Sequence, residues 1–148
     1  MRIMGLDLGT KTIGVAVSDL LGLTAQGIKV IQRHTWADDI RELQQVVSEY
    51  EVKQLLIGLP RRTTGDLGPE AERIQQEGDK IGGALDLPVI YWDEWFSTVS
   101  AERVLLAADV SRKRRRQVID RIAAAIILQS FLDSQAHREQ RHSDTKQP

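Results

Sequence analysis

The chain of 148 residues contains no cysteine. That absence removes disulfide frameworks, thiolate zinc sites and cysteine nucleophiles in one step, and it fits a reducing compartment such as the cytoplasm. Histidine is nearly as scarce, with three residues, His34, His137 and His142. The last two fall in a polar C-terminal stretch. With neither an H-E-x-x-H helix nor a G-x-S-x-G turn, zinc hydrolysis and a Ser-His-Asp triad do not fit. Charge of one sign is lacking as well: 20 Lys and Arg stand against 21 Asp and Glu. Affinity for a polyanion must therefore come from clustering of like charges. The longest uninterrupted apolar run, Ile122 to Leu128, is far short of the ~20 residues that span a bilayer. Asp7 breaks the N-terminal apolar run, so no secretory pattern is read there. A soluble protein with no membrane contact is expected. No internal repeat is present, and the length suits one domain with a substantial core.

What is present reads as alternating elements. Arg2 to Leu8 suggests a strand, Gly9-Thr10-Lys11 a turn, and Thr12 to Asp19 a second strand with strict alternation. In that strand Ile13, Val15 and Val17 face one way, while Thr12, Gly14, Ala16 and Ser18 present a face of small side chains that something must approach closely. Gly27 to Arg33 suggests a third strand, Asp38 to Tyr50 a helix, and Val52 to Leu59 a buried strand ended by Pro60. Pro69 opens a polar helix to about Gly82, and Pro88 to Trp92 forms a short strand. Ser97 or Thr98 caps a helix over Val99 to Ala108, and a last, largely apolar helix covers Arg114 to Ser134. Residues 135–148 read as a polar, disordered tail. The fold class is α/β, with a mixed sheet flanked by helices.

Within this order three carboxylates invite attention. Asp7 sits at the end of an apolar strand, where an ionised group is unfavourable unless a charge, a metal or dense hydrogen bonding compensates it. The plain alternative is that it caps the glycine turn. Asp93 and Glu94 end the last strand, and in open α/β sheets the working crevice lies beyond strand C-termini. Asp120 shares a helical face with Ala123, Ala124 and Ile127, which turns it inward. Its plain partner is Arg121 or one of Arg114 to Arg116. Oxygen-only ligands suit Mg²⁺ or Mn²⁺, and two such ions held by shared carboxylates are a recurring device for in-line attack on phosphodiesters.

The motifs "GLDLGTKTIGVAVSD", "IGLPRRTTGDLG", "DEWFST" and "IDRIAAAIILQ", in this order, resemble those of the YqgF/RuvX family of nucleases over about residues 1 to 134. The resemblance implies an RNase H-like fold: a five-stranded mixed sheet flanked by helices, forming a single nuclease domain over 1–134. It also implies a metal-dependent catalytic site in which Asp7, Glu94 and Asp120 act and hold Mg²⁺ or Mn²⁺. Asp93 is a reserve, since strand alternation points only one of two adjacent acids into a site. The function implied is phosphodiester hydrolysis in 5′-end maturation of pre-16S rRNA, with Holliday junction resolution as the alternative. One position departs from the family pattern: Trp95 stands where arginine is usual. A tryptophan there could stack on an unpaired base or pack as core.

Basic residues cluster near these acids. "SRKRRR" supplies Arg112, Lys113, Arg114, Arg115 and Arg116 directly ahead of Asp120, a placement suited to phosphate contact. Arg61 and Arg62 follow Pro60, and Lys11 lies in the first turn, each able to flank a nucleic-acid strand. The expected partner is nucleic acid, either pre-rRNA or branched DNA. Resolution of a four-way junction would require a two-fold dimer, and the sequence leaves monomer and homodimer both open. Two rival readings stand beside the nuclease. "GLDLGT" resembles the first phosphate loop of actin-like ATPases, which need two domains around the nucleotide, more than this length provides. A non-catalytic RNA-binding assembly factor would use the basic run alone.

Overall fold

The computed structural model describes residues 1–60, 68–93 and 112–145, excepting the side chains of 112–121 and 140–145. The segments carrying "RRTTGDL" and the expected Val99–Ala108 helix lie outside the described residues. A five-stranded sheet runs in the order β3-β2-β1-β4-β5, formed by β1 (Arg2–Leu8), β2 (Thr12–Ser18), β3 (Ala25–Gln32), β4 (Val52–Leu59) and β5 (Val89–Asp93). The first three strands pair antiparallel, while β1, β4 and β5 pair parallel. The mixed sheet follows from the connections: short turns join β1 to β2 and β2 to β3, and helices carry the later crossovers.

Two helices cover one face. Helix α1 (Trp36–Tyr50) begins where the Thr35 side chain accepts the Asp38 amide at 3.2 Å, two residues earlier than periodicity alone suggests. Its first turn carries Asp38 and Asp39, which suit the positive end of the helix dipole. Helix α2 (Pro69–Leu85) starts at Pro69 as expected but runs past Gly82 to Leu85, where Asp86 turns the chain in the left-handed region at φ 54°. Gly82 is not a stop signal. A Cβ built there would lie 2.5 Å from Val89 Cγ2, so that glycine lets α2 press on β5. Leu43, Val46, Ile74 and Ile81 of these helices bury with Met4, Leu6, Leu8, Ile13, Val15 and Val17.

The opposite face takes helix α3 (Arg112–Thr145). Ala124, Ile127, Leu128 and Phe131 bury there with Ile3, Ala16 and Leu56. The small face of β2 expected from sequence is thus the seat of a helix. Gly5 makes the approach possible, since a Cβ on it would lie 3.0 Å from Leu128 Cβ and 3.3 Å from the Ala124 carbonyl. The helix does not stop at Ser134 but continues to Thr145, through most of the segment that composition marks as a polar tail. No glycine or proline falls between Ser134 and Thr145 to end it.

Candidate active site

Because β1, β4 and β5 are mutually parallel, their C-terminal ends Leu8, Leu59 and Asp93 reach the same edge of the sheet. Side chains alternate along each strand. On β1, Met4, Leu6 and Leu8 belong to the α1–α2 core, whereas Ile3 and Gly5 meet α3. Asp7 continues the second series and is half-buried. It stands opposite Gly14 in the β1–β2 ladder, and the missing side chain there leaves room beside the carboxylate. On β5 the same logic separates two acids. Tyr91 packs with the α1–α2 core and Trp92 with the α3 core, so Asp93 falls in the Tyr91 series, on the opposite side of the sheet from Asp7.

The course of α3 relative to β1 follows from its contacts. Gln129 receives the Ala25 amide at 2.8 Å, and Ala25 is paired with Ser18, whose hydroxyl accepts the Ile3 amide at 2.8 Å. Gln129 therefore sits level with Ile3, and Ala124 sits at Gly5. Toward its N-terminus, α3 thus advances in the direction in which β1 advances to Asp7. The backbone of Asp120 lies one turn before Ala124 along the helix.

The remaining site residues divide clearly. Lys11 is exposed in the β1–β2 turn, where its carbonyl accepts the Arg33 amide at 3.0 Å. Arg112, Lys113, Arg114, Arg115, Arg116 and Asp120 lie on α3 with side chains outside the described residues. Glu94, Trp95, Arg61 and Arg62 also lie outside them. Among the described residues no three of His, Cys, Asp and Glu gather as a metal site, and two of the three expected ligand side chains are not in that set. Sequence reasoning missed a cleft of about 630 Å³ beside Lys11, lined by Gln32, Arg33, His34, Trp36 and Asp39. Its one sequence signal is a tryptophan directly after a helix-capping threonine.

Comparison with known proteins decides the family. The RuvX family, described as Holliday junction resolvase, matches residues 1–134. The chain belongs to this family. RuvX relatives are similar over nearly their whole length: a protein of Heliobacterium modesticaldum named "Putative pre-16S rRNA nuclease" is 51% identical over 137 residues, 93% of this chain and 92% of the relative. A Geobacillus kaustophilus protein of the same name is 54% identical over 136 residues, 90% of this chain and 99% of the relative. Among solved structures, Thermus thermophilus RuvC in complex with Holliday junction substrate aligns with a TM-score of 0.55 at 13% identity, covering 93% of this chain and 96% of that one. The fowlpox virus Holliday junction resolvase aligns with a TM-score of 0.51 at 15% identity, covering 90% and 99%. At such identities the likeness speaks for the fold, which is RNase H-like. No helix among the described residues is long and apolar enough to cross a membrane.

Proposed function

We propose that this RuvX protein is a divalent-metal-dependent nuclease that hydrolyses phosphodiester bonds in 5′-end maturation of pre-16S rRNA. The relatives that share half of its residues over most of both chains support the substrate. The placement of Asp7 carries the chemistry: it leaves β1 on the α3 face, at the edge where three parallel strands end.

Asp7, Glu94 and Asp120 would hold Mg²⁺ or Mn²⁺, a fit supported by an all-oxygen donor set in a chain without cysteine. Of the two adjacent acids Glu94 is chosen over Asp93, because Asp93 falls in the Tyr91 series that packs with the α1–α2 core, away from Asp7. The course of α3 brings the turn bearing Asp120 toward the Asp7 end of β1. A bound divalent ion supplies Lewis-acid polarisation of the phosphate. The protein's own part is to fix the ligands on rigid elements and to hold the backbone. Arg112 to Arg116 suit that second task. Cations in the first turn of a helix oppose its dipole, and α3 has no acid in its first turn, so helix stability does not ask for them. Arg61, Arg62 and Lys11 would flank the strand.

Holliday junction resolution is the second reading, favoured by the family description and by the RuvC fold. A side-by-side assay on a pre-rRNA 5′ segment and a synthetic four-way junction, in Mg²⁺ and then Mn²⁺, distinguishes the two. RNA cleavage is expected, abolished by EDTA and lowered by orders of magnitude in Asp7→Asn with the fold intact. Full activity of that variant would overturn the site. Binding without cleavage under either ion would make the protein a non-catalytic RNA-binding factor.

A further inference from the structure

The cleft beside Lys11 lies on the same sheet edge as Asp7 but on the α1–α2 side. Its walls are the β1–β2 turn, the chain leaving β3 and the first turn of α1. The walls are tied together: Arg33 donates its amide to the Lys11 carbonyl at 3.0 Å, and its guanidinium grips Glu77 of α2 through two bonds of 3.0 and 2.6 Å. His34 donates its amide to Asp39 at 3.1 Å, and its ring Nδ1 bonds the Gln32 carbonyl at 2.8 Å. The polar floor is thereby largely satisfied within the protein.

Two kinds of group remain presented. Trp36 is 47% exposed, a large ring that the core does not cover, and Lys80 of α2 holds its ammonium 5.6 Å from the ring centroid. Lys11 and Lys80 enter no ion pair among the described residues, whereas Arg33 is paired with Glu77 and Asp38 with Arg41. An exposed ring in the same cleft as Lys11, with the Lys80 ammonium beside it and neither lysine in an ion pair among the described residues, offers what an unpaired nucleic-acid strand brings together: a surface for a base to stack on and cations for the neighbouring phosphates. A duplex, whose bases are already stacked, gives the ring nothing to hold.

We infer that this cleft is a docking site for a single-stranded stretch of the substrate, with one base stacked on Trp36 and neighbouring phosphates against Lys11 and Lys80. The strand would leave the catalytic edge over the β1–β2 turn, which carries Lys11 and begins just past Leu8, the residue after Asp7. This rests on the nuclease reading for the choice of nucleic acid as ligand. It adds that the enzyme prefers a substrate with an unpaired segment beside the cleaved bond.

The test is direct binding by the full chain, in EDTA, of a fluorescein-labelled single-stranded RNA of roughly ten nucleotides and of a blunt duplex of the same sequence. Trp36→Ala should weaken single-strand binding by about 5- to 100-fold, leave duplex binding unchanged, and remove much of the tryptophan quenching that accompanies binding. Trp36→Phe should restore most of the loss. Lys11→Ala with Lys80→Ala should flatten the log–log salt dependence by about 0.7 per lysine. Unchanged single-strand affinity in Trp36→Ala, or an equal loss for strand and duplex, would overturn the inference. Because binding is read without metal, a wild type that binds in this way yet cleaves nothing would defeat the nuclease reading and leave the docking site standing.

Discussion

At the scale of single residues, the loop between β2 and β3 shows how one carboxylate organises backbone. Asp19 Oδ1 accepts the amides of Leu23 at 2.7 Å and Thr24 at 3.3 Å, around Gly22 at φ 70°. The Leu23 amide is the largest cause holding the Asp19 carboxyl below its usual range, with the Thr24 and Gly22 amides adding to it and partial desolvation opposing. A group whose folded pKa is depressed contributes stability that is present above its unfolded pKa and lost as pH falls through the folded value. Acid unfolding should therefore draw on Asp19 below about pH 4. In Asp19→Asn the amide oxygen still accepts both bonds, but the group no longer titrates. The difference in melting temperature between wild type and variant should shrink as pH drops below about 4, which melting curves at pH 3 and pH 6 would show. A constant difference would mean that the loop does not feel this charge.

At the scale of elements, the sheet is gripped from both sides at glycines. On the α2 side, a Cβ at Gly78 would lie 2.6 Å from Tyr91 Oη and 2.7 Å from Ile57 Cδ1. The phenol cannot easily swing away, because it reaches the Gln75 carbonyl at 2.8 Å and the Asp79 carboxylate at 2.6 Å. Alanine is the better helix former by about 1 kcal/mol, yet overpacking a fitted contact costs ~1–3 kcal/mol. Gly78→Ala should therefore lower stability, by about 1 kcal/mol net, measurable by urea unfolding. An increase would show that α2 has slack against β5. On the other side, Gly5 and Ala16 set how closely α3 lies to β1 and β2.

At the scale of the whole molecule, the proposed site draws its acids from Asp7, Glu94 and Asp120, positions far apart in sequence. A ligand that binds the folded state alone stabilises it by mass action. Millimolar Mg²⁺ or Mn²⁺ should raise the melting temperature of wild type and raise that of Asp7→Asn much less. A wild type indifferent to both ions would separate these acids from metal binding, whatever the cleavage assay shows.

The local elements were legible in the sequence because local patterns determine them. Arg2–Leu8 and Val52–Leu59 begin and end where alternation, apolar runs and Pro60 say, and Pro69 opens α2. The four motifs carried the family, and the small face of β2 announced a close-packed helix. Boundaries set by distant partners were not legible. Strand β3 starts at Ala25 rather than Gly27: the ladder with β2 runs on to the Ser18–Ala25 pair, and Gln129, over a hundred positions away in sequence, takes the Ala25 amide and donates to the Leu23 carbonyl at 2.9 Å. Trp36 continues the stripe of Ile40, Leu43 and Val47 by one helical turn, which on periodicity would bury it. The fold leaves it 47% exposed in a cleft at the sheet edge. The sequence by itself determined which residues could be strand, helix and acid, since those depend on neighbours along the chain. Only the tertiary structure decided which side of the sheet Asp7 and Asp93 take and which aromatic is left uncovered, because side-chain direction is read from strand register and helix placement, and both are properties of contacts between distant segments.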